Sequence, residues 1–127
     1  MNDLFILLGL FQVKHFLSDY PLQTQWMLGK SKAKGWVLPL LAHAGVHAAF
    51  TAAIVTYATW DVKGGLIFQI LAPIFDFVVH FTMDRIKASP NMLGRFKPDR
   101  PYFWWSLGLD QAVHHSTHYI IIWALVS

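Results

Sequence analysis

The sequence predicts an all-α fold, an integral membrane four-helix bundle closed around a polar core. Three observations predict it. Hydrophobic residues make up 55% of the 127 positions, and the mean hydropathy of +0.41 lies above the range usual for soluble domains. Apolar stretches recur four times, each roughly 17 to 25 residues long, which is the length a ~30 Å hydrocarbon core demands of a helix. All seven acidic residues are aspartate. Because water-facing helices use glutamate freely, that bias implies that few helix faces meet water.

The chain reads as a single transmembrane domain, 1–127, with spans at about 4–20, 36–60, 65–86 and 102–126. The first span starts beside Asp3 instead of a basic n-region and lacks a small-residue cleavage site, so it is kept as a span and not a signal peptide. Pro21 closes it. The second tolerates Pro39 in its first turn, where the missing N–H has no intrahelical partner to lose. The third follows Gly64-Gly65 and carries Pro73 as a kink site. The fourth opens on Tyr102, Phe103, Trp104 and Trp105. With Trp26, Trp36 and Trp60, those two tryptophans form the aromatic belts expected at membrane interfaces.

Charge gives an orientation. The loops at 21–35 and 87–101 fall on one side, and with the adjoining helix ends they hold Lys14, Lys30, Lys32, Lys34, Arg85, Lys87, Arg95, Lys97 and Arg100. The other side has Lys63. The positive-inside rule then makes the basic side cytoplasmic, the termini outside, and the bacterial inner membrane the expected location. The net charge of +3 points to anionic headgroups and not to nucleic acid. Asp61 and Lys63 read as a solvated loop, Asp99 and Arg100 as fixing the loop before the fourth span, and Gln23, Thr24 and Gln25 as an interfacial turn.

The chemistry lies in four pairs spaced i,i+4: His15 with Asp19, His43 with His47, His80 with Asp84, and Asp110 with His114. Residues four apart share a helix face, and ionisable groups inside membrane helices are costly enough to suggest function. Two pairs end helices arriving at the basic side and two begin helices leaving it, so all four fall at one depth. At a rise of about 1.5 Å per residue, Asp19, His43, Asp84 and Asp110 form the outer layer, with His15, His47, His80 and His114 one turn deeper. Asp76 and His118 extend two of the faces as a third shell or proton path. There is no cysteine, which excludes disulfides and thiolate ligation. Imidazole and carboxylate suit zinc first, then iron or manganese, as one or two divalent ions. Two readings without chemistry compete. Asp110 also suits a helix N-terminus, and Lys14, Arg85 or Lys87 could neutralise Asp19 and Asp84 in a purely structural network. His115, turned about 100° from the His114 face, reads as an interface histidine. Asp76 after Pro73 reads as a partner for freed backbone groups.

His15-Phe-Leu-Ser-Asp19 followed by Leu22-Gln23-Thr24, then His43-Ala-Gly-Val-His47, His80-Phe-Thr-Met-Asp84-Arg85-Ile86-Lys87 and Asp110-Gln111-Ala-Val-His114, resemble in that order the bacterial and phage membrane family catalogued as domain of unknown function 3307. The resemblance spans nearly the whole chain. It implies the fold and the polar positions and brings no reaction with it. More distantly, the His-rich four-span layout is similar to membrane-bound metal-dependent hydrolases.

The expected function is a metal-dependent membrane hydrolase acting on a lipid-linked or phosphate-containing substrate. Its metal ligands are His15, Asp19, His43, His47, His80, Asp84, Asp110 and His114, with Asp84 and Asp110 as the catalytic carboxylates. Lys30, Lys32, Lys34, Arg95 and Lys97 would draw an anionic lipid or phosphate to the mouth. The alternatives are a metal or proton carrier and a non-enzymatic phage or host membrane interaction protein. The exposed apolar surface of so small a bundle suits a homo-oligomer.

Overall fold

The computed structural model describes residues 2–127. Four long helices carry the fold: α1 (Asn2–Asp19), α2 (Val37–Thr59), α3 (Gly65–Ala88) and α4 (Pro101–Val126), with no strand among the described residues. Their neighbour relations close a ring, α1 on α2, α2 on α3, α3 on α4 and α4 on α1. The four expected spans differ from these helices by one or two residues at most ends.

Local chemistry sets the boundaries. Pro21 disfavours helical backbone at the residue before it, and α1 stops at Asp19. Gly64 at φ +83° is the left-handed residue that turns α2 back into α3, a conformation that costs a side-chain-bearing residue steric energy. The five residues between α2 and α3 leave no room for anything but an antiparallel hairpin. Pro101 opens α4 at its first turn, where a pre-set φ helps and a missing N–H costs nothing. The two long connections, containing short 3-10 turns at Met27–Ser31 and Leu93–Arg95, both lie at the basic end.

The interior divides along its axis. Leu7 and Phe11 of α1, Ile54 and Val55 of α2, and Ile121 and Ile122 of α4 form an apolar cluster toward the end away from the long loops. Toward the loops the core turns polar: His15, His43, His47, His80, His114 and His118 are all buried, together with Lys14, Asp76, Asp84 and Asp110. The outside is the reverse. On α3, Leu66, Ile67, Ile70, Leu71, Ile74 and Val78 are each more than half exposed, which is far more contiguous apolar surface than soluble monomers show.

Two of the four helices, α2 and α3, are long and apolar enough to cross a membrane. The others are diluted by the polar core they supply, α1 by Lys14 and Asp19 in addition to Asp3, and α4 by Asp110, Gln111, His114, His115 and His118.

Candidate metal centre

Each helix delivers its pair from the face that the i,i+4 spacing gives it, and the eight residues meet. Donor atoms of Asp19, His43 and His47 lie within 4.8 Å of one another; so do those of His15, His47 and His80, and those of Asp84, Asp110 and His114. Asp76, His80 and His118 form a fourth such group one turn deeper. Any of these trios could hold a divalent ion.

Asp19 is the hub of the outer layer. One carboxylate oxygen lies 2.9 Å from His47 Nε2 and 3.5 Å from His43 Nε2, and the other 3.1 Å from His15 Nε2. His43 spans two carboxylates, since its Nε2 is also 3.1 Å from Asp84 Oδ2. Gln111 closes the α1–α4 side, with Oε1 3.0 Å from His15 Nε2 and its amide donating to Asp110 Oδ2 at 3.1 Å.

The middle layer is a stack of imidazoles. His80 lies between His47 and His114, with ring centroids 3.8 Å and 4.0 Å away, and is almost parallel to His114 at 2°. His80 Nδ1 faces the Asp76 carbonyl at 3.2 Å and lies 2.9 Å from Asp76 Oδ1. Its Nε2, in a fully buried ring, has no hydrogen-bond partner. His114 has none on either ring nitrogen, and Asp110 Oδ1 has none. Buried polar atoms without partners are expensive and rare. A backbone carbonyl at the far nitrogen of a histidine is one of the arrangements that orient metal ligands.

The deepest layer holds a cation of the protein's own. Lys14 Nζ donates to Asp76 Oδ2 at 2.6 Å and lies 3.1 Å from His118 Nε2, while Thr51 Oγ1 donates to the same Asp76 oxygen at 2.6 Å. Sequence reasoning counted Lys14 among the basic residues of the cytoplasmic side; it is buried in the bundle axis instead. Nor is Asp76 merely a partner for backbone freed by Pro73, because it is the counter-ion of Lys14.

The other lysines are also paired differently from expectation. Asp84 is met by Lys30, at 3.0 Å, and Asp110 by Lys87, at 2.9 Å. Arg85 touches neither, spending its guanidinium on the carbonyls of Lys30 and Lys32 and on the face of Trp36, 3.9 Å away. It thereby pins the 27–31 turn against α3. Gln23 joins the polar mouth, accepting from Lys30 at 2.9 Å and donating to the Asp19 carbonyl at 3.0 Å. His115, half-buried in the α1–α4 seam, packs against His15 with ring centroids 4.9 Å apart and the rings tilted by 42°.

A cleft of about 350 Å³ opens on this mouth, lined by Gln23, Lys30, Asp84, Lys87, Phe96 and Phe103 among others. Asp84 reaches it, whereas Asp110 stays behind Lys87. Thr51 and Gln111 were not read as parts of the site, and Lys14 and Lys87 were read only as groups that could neutralise Asp19 and Asp84 in a structural network. Thr51 was open to the same reasoning, since it lies four residues after His47.

Over residues 6–127 the chain matches the family described as "Protein of unknown function (DUF3307)". It belongs to that family. No curated protein and no solved structure matches it. All ten buried His, Asp and Lys residues of the DUF3307 core described above lie within the matched span.

Proposed function

We propose that the chain is a multi-pass inner-membrane protein whose His/Asp core holds a divalent metal ion, and that it hydrolyses a lipid-linked or phosphate-containing substrate. The observation that carries the reading is His80, a fully buried imidazole held at Nδ1 by Asp76 with Nε2 free beside the unpartnered His114. The inverted distribution of polarity, charged inside and aliphatic outside, supports the membrane. The basic long-loop end supports the orientation, cytoplasmic loops with both termini outside.

Charge balance favours one ion over two. Asp19, Asp76, Asp84 and Asp110 face Lys14, Lys30 and Lys87, which leaves a single net negative charge when the histidines are neutral. One divalent ion reverses that balance by the smallest step. A second would leave a strongly positive core with little water to screen it.

The roles follow from access. The ligands of that ion would come from among His15, Asp19, His43, His47, His80, Asp84, Asp110 and His114, with zinc first and iron or manganese next. When bound, such an ion supplies Lewis acidity to a phosphoryl or carbonyl oxygen. Asp84 opens to the cleft, and its oxygen left uncoordinated would be the general base, accepting a proton from the attacking water. Lys30 and Lys87 flank the cleft and take the anionic part of the substrate.

A carrier needs a polar path through the bundle. Beyond Asp76 and His118 the axis is packed with the apolar side chains of Leu7, Phe11, Ile54, Val55, Ile121 and Ile122. That favours chemistry at the mouth over transit.

The test is elemental analysis of detergent-purified protein, followed by phosphatase assays on phosphatidic acid and other lipid phosphates. About one equivalent of zinc, iron or manganese is expected, with turnover lost in Asp84→Asn while the fold is kept. Folded protein that takes up none of these metals after reconstitution overturns the reading.

A further inference from the structure

The two carboxylates nearest the cleft do not face it bare. Lys30 Nζ sits 3.0 Å from Asp84 Oδ2, and Lys87 Nζ sits 2.9 Å from Asp110 Oδ2. The second oxygens of both carboxylates turn toward His114, Asp84 Oδ1 at 3.5 Å from Nε2 and Asp110 Oδ1 at 3.6 Å from Nδ1. These three residues are one of the trios whose donor atoms lie close enough to share an ion. Two ammonium groups therefore hold the carboxylates that a metal would need, and a divalent cation arriving there would meet both at close range.

The lysines differ in freedom. The Lys87 side chain is 36% exposed and that of Lys30 13%, whereas that of Lys14 is 0% exposed. Lys30 and Lys87 both line the cleft and can turn their ammonium groups outward into it; Lys14 is locked in. To leave their carboxylates without a net loss, they require an acceptor with several oxygens and more than one negative charge. A phosphate group has that chemistry and accepts charge-assisted hydrogen bonds from both at once. The Lys30 ammonium already has a neutral second partner at Gln23 Oε1, 2.9 Å away, that can stay with it as it moves.

We propose that the cleft binds a phosphate group on Lys30 and Lys87, and that this binding draws both ammonium groups off Asp84 and Asp110, so that phosphate and the divalent metal bind cooperatively. This rests on the metal reading above. It adds that the site completes itself only when both are present, which keeps the metal-loaded carboxylates from being exposed without substrate. Leu28, Phe96, Phe103 and Leu107 form an apolar wall of the cleft suited to the first carbons of an acyl chain. The phosphate can accordingly be free or borne by a lipid, and the two sources give different results below.

Binding of Mn2+ to the full-length protein, followed by the loss of the free-ion electron paramagnetic resonance signal, tests the coupling. Affinity is measured in detergent with and without inorganic phosphate, and in nanodiscs of phosphatidylcholine with and without phosphatidic acid. The expected result is Mn2+ binding tightened about tenfold by a phosphate group, within the usual range of coupling between two sites. Tightening by inorganic phosphate means that the bare group suffices, and tightening by phosphatidic acid alone means that the lipid carries it. The Lys30→Met/Lys87→Met variant should bind Mn2+ tightly without either, and phosphate should add nothing. Mn2+ affinity indifferent to both anions in a chain that binds Mn2+ overturns the coupling and leaves the metal centre standing. No binding by the native chain or the double variant in any medium removes both.

Discussion

Lys14 and Asp76, on α1 and α3, form an ion pair of 2.6 Å in which neither side chain is exposed. Removing one partner of such a pair leaves a buried charge uncompensated. Lys14→Met is expected to cost about 3–5 kcal/mol, and Lys14→Met/Asp76→Leu to recover most of that by removing the pair altogether. Chemical unfolding in detergent micelles measures both. A single variant as stable as the native chain would mean that Asp76 needs no counter-ion.

His80 and His115 offer a sharp contrast within the same core. His80 is fully buried with a free Nε2, whereas His115 sits half-buried in the α1–α4 seam and belongs to none of the donor groups. Metal content should fall from about one equivalent to none in His80→Ala and stay unchanged in His115→Ala. Equal loss in both would point to general unfolding of the core rather than loss of a ligand.

Two glycines should respond with opposite signs. Gly64 is held at φ +83° where α2 turns into α3, so Gly64→Ala is expected to destabilise by about 1–2 kcal/mol. Gly45, inside α2, has nothing within 4 Å of an added Cβ, and Gly45→Ala should stabilise by about 0.5–1 kcal/mol through the lost freedom of the unfolded chain. Unfolding midpoints of the two variants check the pair of signs.

The chain contains no cysteine, so topology can be read from single introduced thiols. Lys34→Cys in the α1–α2 connection should react with a membrane-impermeant maleimide only in inverted vesicles, and Asp61→Cys in the α2–α3 turn only in spheroplasts. Both positions are exposed. Reaction of both from the same side would rule out the proposed crossing of α2.

The helices and the meeting of the four pairs were legible because both depend on local rules. Apolar run length and the prolines at 21, 39 and 101 bound the helices, and i,i+4 spacing aligns two side chains whatever surrounds them. Antiparallel order then brings His15, His47, His80 and His114 to one level without knowledge of packing.

Which cation meets which carboxylate was decided only in three dimensions. Lys14 is one residue from His15, and whether it faces lipid, water or the axis depends on how α1 is rotated against α3 and α4, which bring Asp76 and His118 to it. Lys30 lies in a short 3-10 turn with no α-helical periodicity to read, and it reaches Asp84 because Arg85 anchors its carbonyl to α3. Counting positive charge along the sequence treats every lysine as facing water. The sequence by itself determined the helices, their order and the depth of the histidines, because a helix repeats its geometry regardless of its neighbours. The rotation of each helix about its own axis, and with it the pairing of the three lysines, came from packing four faces at once, a constraint that no single segment contains.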